Sequence, residues 1–234
     1  KSEPTVTRVM VTEPATEPTV STELAPDEIT AGAIADLIAA AWPSVVAYTS
    51  VTEILPIASG SPVASPESGT PPRAERQVIL PATKRIAITD LGTTTEIVLI
   101  NGVISKRVTD PNGVVGAWET IDPANVAQGD PFANTYQSML QPEQPPYSGL
   151  GQRQREQIGT QTGDLEINGR TCRGYTFPTV SDNGEQITIQ IYLDDQNLPC
   201  RIDTTAHESL SRTDYLFNQP IDFATPVASP VSQT

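Results

Sequence analysis

Long apolar runs are missing from this chain of 234 residues: the best stretches, 31–42 and 97–100, are short or polar-flanked. A bilayer helix needs roughly 20 consecutive apolar residues, so a membrane-spanning helix is excluded on length. Positive charge is scarce, with 14 Lys and Arg against 28 Asp and Glu and a formal net charge of −14. Binding to a phosphate backbone relies on a basic stripe, so no nucleic-acid partner is expected. Histidine is limited to His207 and cysteine to Cys172 and Cys200. That leaves too little for a zinc site or a His-based triad, and neither an enzyme nor a cofactor is expected. What the chain does have is 37% apolar residues, enough for one ordinary core, and 22 prolines concentrated in particular stretches.

Residues 1–25 carry Thr-Glu-Pro at Thr12–Pro14 and again at Thr16–Pro18, without a helical period. Such composition buries too little surface to offset its ordering entropy, and an extended tether is expected there. The absence of a charged-then-apolar leader fits either a cytoplasmic protein or one whose export signal has been removed, and the stalk composition favours the second. Residues 57–74 hold Gly60, Pro62, Pro66, Gly69, Pro71 and Pro72 among serines and alanines, which reads as a long mobile loop or a lid. A Ser/Pro/Val tail is expected over 227–234.

Between these stretches the periodicity is clear. Pro26, Asp27 and Glu28 suit a helix start, and Ile34, Leu37, Ile38 and Ala41 form one apolar stripe that ends at Trp42-Pro43. A β-branched strand follows from Ser44 to Leu55. Strands are then expected at 76–80, 84–89, 94–100 and 103–109, the last two joined by Asn101-Gly102, a strong hairpin signal. Trp118 closes this first set. Asp130-Pro131 suits a second helix, with Phe132, Tyr136, Met139 and Leu140 on one side. A second set of strands follows at 157–162, 163–167, 170–177, 185–193, 198–206 and 213–217, with a turn at Asn168-Gly169. Its clearest member alternates Ile187, Ile189, Ile191 and Leu193 against Gln186, Thr188, Gln190 and Tyr192. Tight turns without crossover helices give an α+β fold built on a single large antiparallel sheet.

Three phrases, in this order, resemble the LolA-like and LppX/LprG-like bacterial lipoprotein superfamily. They are Thr94–Gly102 with Trp118–Asp122, then Leu165–Tyr175, then Ile191–Ile202 with Asp214–Ile221. Together with the first helix and strand the resemblance covers 26–226. It implies a half-open barrel, one curved sheet with helices packed on its concave face, enclosing an apolar cavity for lipid or acyl chains. It also implies an exported, envelope-located lipoprotein that reaches the membrane surface through an N-terminal anchor lying outside this sequence. Expected cavity-lining residues are Ile34, Leu37 and Ile38 on the helix, with Ile86, Ile88, Ile97 and Leu99 on the first strands. Ile187, Ile189, Ile191 and Leu193 line it on the second set. The same residues also suit a plainly packed core, and the sequence does not separate the two. The implied strand order brings Cys172 near Cys200, so a disulfide is expected, with two buried free thiols as the alternative.

Other chemistry-bearing groups have simpler readings. His207, beside Thr205 and Ser209, has no nucleophile elbow near it and reads as a surface histidine at a strand end. Asp194–Asn197 lacks the glycine and distal glutamate of a calcium loop and reads as a turn. Asp164 and Glu166 have no apolar pocket to raise a pKa. The expectation is therefore a non-catalytic lipid-binding or lipid-transport protein, with an envelope sensor or protein-interaction module on the same fold as the alternative.

Overall fold

The computed structural model describes residues 24–57, 71–180, 184–207 and 209–223. Residues 1–23 of the expected tether, 58–70 of the expected loop and the C-terminal tail at 227–234 lie outside the described residues, while Arg73 and Ala74, expected in the loop, belong to a strand paired with its neighbours on both sides.

In chain order the first elements are β1 (Glu28–Thr30), α1 (Ala31–Ala41), a 3-10 turn (Trp42–Ser44) and β2 (Ala47–Pro56). They are followed by β3 (Arg73–Ile79), β4 (Thr83–Asp90), β5 (Thr93–Ile100), β6 (Val103–Thr109) and β7 (Glu119–Ile121). Two short helices come next, α2 (Ala133–Leu140) and α3 (Gln152–Arg155). The last five strands are β8 (Ile158–Ile167), β9 (Arg170–Val180), β10 (Gln186–Leu193), β11 (Pro199–Ala206) and β12 (Ser209–Phe217).

All twelve strands join one antiparallel sheet in the order β1-β8-β9-β10-β11-β12-β2-β3-β4-β5-β6-β7. β1 and β7 end the sheet without pairing to each other, so the barrel is half open. The central seam is the pairing of β12 with β2, which joins the last strand of the chain to one of the first across nine residue pairs. On either side the strands run as meanders. Asn101 and Gly102 both take positive φ, 51° and 79°, as do Asn168 and Gly169, 53° and 74°. This is the backbone a two-residue hairpin with right-handed strand twist requires.

Three elements differ from the sequence reading. Residues 26–27 form a turn, and β1 precedes α1, because Ile29 pairs opposite Gly159 while Thr30 takes over as N-cap by accepting from the Ala33 N–H at 3.1 Å. Where two strands were expected over 157–167, residues 158–167 form one, β8, with a bulge between Thr162 and Asp164. Leu140, placed on the inner side of α2 by its spacing, is 46% exposed, because the helix ends there and only Tyr136 and Met139 reach the sheet.

Candidate functional site

Cross-strand partners project from the same face, so the register defines the inner surface as a lattice. One row crosses the sheet through Tyr175, Ile191, Ile202, Thr213, Thr52, Ala74, Ile88 and Thr95. The next row toward the loop ends of β10 and β2 reads Ile189, Thr204, Ser211, Ile54. In the opposite direction the rows read Tyr215, Ser50, Arg76, Ile86, Ile97 and then Phe217, Tyr48, Val78, Lys84, Leu99, Ile104.

Both long helices lie on this face. α1 sets Ala31, Ile34 and Ile38 against Tyr175, Phe177, Ile191 and Leu193, with Leu37, Ile189 and Ile202 packed around them. α2 sets Tyr136 and Met139 against Ile86, Ile97, Leu99 and Ile104, with Ile88 beside them. The expected cavity-lining residues are therefore divided. Ile34, Leu37, Ile38, Ile189, Ile191 and Leu193 belong to the α1 cluster and Ile86, Ile88, Ile97 and Leu99 to the α2 cluster. Ile187 lies outside both and lines an open groove.

The strip between the helices is different in kind. Its floor on β11, β12, β2 and β3 carries Thr204, Ser211, Thr213, Thr52 and Ala74, all half-buried and all small, with Ile54 49% exposed at the edge. Twelve strands at roughly 4.8 Å spacing span about 50 Å, whereas each helix is about 10 Å wide, so neither helix covers the middle of the face, part of which is crossed by the segment after α2. At one side the strip adjoins a groove of about 780 Å³ over Ile187, Ile189, Thr204, Pro178 and Val180, bordered by Arg153, Gln154 and Glu156. At the strand ends it is closed by an aromatic group. Trp42 stands 5.7 Å from Tyr48 and edge-on to Phe217 at 6.2 Å, and Tyr215 stacks on Phe217 at 5.9 Å.

α3, which the sequence reading missed, edges the groove. It contains no apolar residue and so has no periodic signal; it is held by Arg155, whose guanidinium donates to both oxygens of Asp36 on α1 at 2.8 and 2.9 Å. Gly32 of α1 permits the close approach, since a Cβ there would lie 2.9 Å from the Arg155 carbonyl.

The segment after α2 crosses the strip and is tied to its floor by charge. Glu143 sits with 6% of its side chain exposed; Lys84 Nζ lies 2.7 Å and Arg76 Nη2 2.5 Å from its Oε1, and the Tyr48 hydroxyl donates to its Oε2 at 2.6 Å. Lys84, 2% exposed, also donates to the Gln141 carbonyl. Burial alone would raise the Glu143 pKa; the hydrogen bonds from Lys84 and Tyr48 and the charge of Arg76 outweigh it and hold the carboxyl below its ordinary value. Burial pushes the Tyr48 hydroxyl up, and that of Tyr215 to about 12, so both stay protonated at neutral pH. An open pocket of about 320 Å³ lies where this segment meets the sheet, lined by Tyr48, Ser50, Arg76, Ser138, Glu143 and Tyr215 among others. The sequence reading missed this cluster as well, although Lys84 alternates with Ile86 and Ile88 on an apolar stride, a position where a charge requires a buried partner.

The outer face is polar. Glu96, its side chain 8% exposed, takes Arg85 at 2.7 Å and Arg107, whose guanidinium lies 4.5 Å over the Trp118 ring. Arg201 pairs with Asp214 and Arg212 with Asp203, each through two hydrogen bonds. On this side Cys172 and Cys200 form a disulfide with Cα atoms 6.4 Å apart, packed with Ile167 and Tyr192.

The remaining groups follow their simpler readings. His207 is an exposed turn residue with φ 50° between β11 and β12. Asp194 caps its turn by accepting from the Gln196 and Leu198 N–H groups while pairing with Arg170 at 2.8 Å. Glu166 accepts from the Thr171 hydroxyl. Among the described residues no group of three or more His, Cys, Asp or Glu could hold a metal ion, and no helix is long and apolar enough to cross a membrane.

No family model matches the chain, and no curated protein does. Among solved structures it is similar to lipoprotein LppX of Mycobacterium tuberculosis, at 13% identity over 82% of this chain and 97% of that one, with a TM-score of 0.44. It is also similar to LprF from Mycobacterium bovis, at 13% identity over 84% and 96% of the two chains, with a TM-score of 0.48. A third likeness is to the MucA/MucB complex of Pseudomonas aeruginosa, at 13% identity over 79% of this chain and 55% of that one, with a TM-score of 0.38.

Proposed function

We propose that this protein binds a lipid acyl chain, without chemistry on it, along the inner strip between α1 and α2, with the groove over Ile187 and Ile189 as the way in. The observation that carries this reading is the mismatch between a sheet about 50 Å wide and two helices about 10 Å wide each, over a floor of Thr, Ser and Ala where flanking positions are Ile. Small side chains at the centre of an apolar face leave depth, and a ligand that fills it gains about 0.8 kcal/mol per buried methylene. The groove volume of about 780 Å³ falls within the usual range of ligand sites, roughly 300–1,000 Å³. Residues 26–226 act as the binding domain. The disulfide supports work in an oxidising compartment, which we take as the cell envelope, with membrane attachment through an N-terminal anchor outside this sequence.

The test is to purify the protein from its expression host under non-denaturing conditions, extract it with organic solvent and identify the extract by mass spectrometry. Acyl lipids at near one equivalent per chain support the proposal. No co-purifying lipid, together with no uptake of an added fluorescent polyene fatty acid, overturns it and leaves the protein-interaction module as the reading to pursue.

A further inference from the structure

The open pocket beside the segment after α2 carries more positive than negative charge. Lys84 and Arg76 face one carboxylate, Glu143, which is held ionised, so the group bears a net charge of +1. The groups acting on Arg76 are Tyr48 and Glu143, both already engaged with each other, and Tyr215 lies on the same row with its hydroxyl protonated. Arg76 spends one terminal nitrogen on Glu143, while its Nε is buried and has no acceptor. A buried guanidinium donor without an acceptor carries a desolvation cost that an anionic oxygen would remove.

Arg76 is placed where such an oxygen could belong to the bound molecule. Ser50 and Tyr215, which line the same open pocket, are one step along the strands from Thr52 and Thr213, so pocket and acyl strip share a floor. We infer that the ligand is an anionic amphiphile whose carboxylate or phosphate head is held by Arg76, supported by Lys84, Tyr48 and Tyr215, while its chain runs over Thr52, Thr213 and Ile54 toward the groove. The inference rests on the acyl-binding reading above. The net charge of the whole chain, −14, repels small free anions, so the head is recognised only when the chain is buried with it.

The experiment compares ligands with one C18 chain and different heads, each below its micellar concentration: oleate, oleoyl lysophosphatidate and oleyl alcohol, with acetate and inorganic phosphate as heads alone. They are titrated against the wild-type protein, Arg76→Gln, Arg76→Lys and Glu143→Gln. The expected result is at least tenfold tighter binding of oleate than of oleyl alcohol, no measurable binding of acetate or phosphate, and a tenfold loss for oleate in Arg76→Gln with oleyl alcohol unchanged. Arg76→Lys recovers part of the loss. Glu143→Gln, which leaves two positive groups unopposed, tightens oleate. The ratio of oleate to oleoyl lysophosphatidate identifies which head the site prefers. Equal binding of oleate and oleyl alcohol, or an equal loss of both in Arg76→Gln, overturns the inference and leaves the acyl strip standing. Failure of all three long-chain ligands to bind overturns the acyl reading itself. If Glu143→Gln does not fold, the two Arg76 variants decide.

Discussion

Filling the strip should not cost stability. Ala74 lies at the centre of the inner row, between Thr52 and Ile88, and is only half-buried. Ala74→Leu adds three carbons. In a packed core such an insertion costs about 1–3 kcal/mol through strain. In a strip that neither helix covers the added carbons find room, and at about 0.8 kcal/mol per fully buried carbon, half-burial gives about 1 kcal/mol of stabilisation. For a domain of this size that is a rise in Tm of about 2–4 °C. Ala35, 2% exposed on α1, is the matched control: Ala35→Leu inserts the same atoms into a packed helix face and should lower stability by about 1–3 kcal/mol. Urea denaturation of the two variants beside the wild-type protein gives both numbers, and titration with a fluorescent polyene fatty acid should show weaker uptake by Ala74→Leu alone. If Ala74→Leu loses as much stability as Ala35→Leu, the strip is packed core and the reasoning fails.

Removing the disulfide by Cys172→Ser with Cys200→Ser opens a loop of 28 residues and should cost about 3.5 kcal/mol in the chain-entropy model, a fall in Tm of about 7–14 °C read by calorimetry. The Glu143 carboxyl, held below its ordinary 4.5, stabilises the fold above that value and loses the contribution as pH falls through its folded value. Urea midpoints measured between pH 6 and pH 3 should therefore drop more steeply in the wild-type protein than in Glu143→Gln, with the curves parallel above about pH 5. Gly32→Val places side-chain atoms against the Arg155 carbonyl, so α3 should be pushed from α1 at a cost of about 1–3 kcal/mol, with faster amide exchange over 152–157.

The strands were legible in the sequence because their signals are local. The Ile187–Leu193 alternation, the two Asn-Gly turns and the β-branched run after Trp42 each specify an element without reference to the rest of the chain. β1 was not, because three residues acquire strand structure only by pairing with β8, and α3 was not, because four polar residues carry no apolar period. The cavity-lining positions were legible as apolar but not as to which stay open: that depends on where two helices land across a sheet whose width no single segment encodes. The charged cluster illustrates the same limit from the other side. Lys84 and Arg76 sit on apolar strides and mark buried charges, but their acid, Glu143, lies 59 and 67 residues further along the chain in a proline-rich segment. Only the folded arrangement joins them.

The central claim is that an acyl chain lies on the inner strip. Crystals grown with a dibrominated C18 fatty acid would locate it through the anomalous signal of bromine. The account predicts bromine peaks over Thr52, Thr213 and Ile54, between α1 and α2. Peaks on the outer face, or an ordered protein with side chains meeting across the strip and no bromine within it, would contradict it.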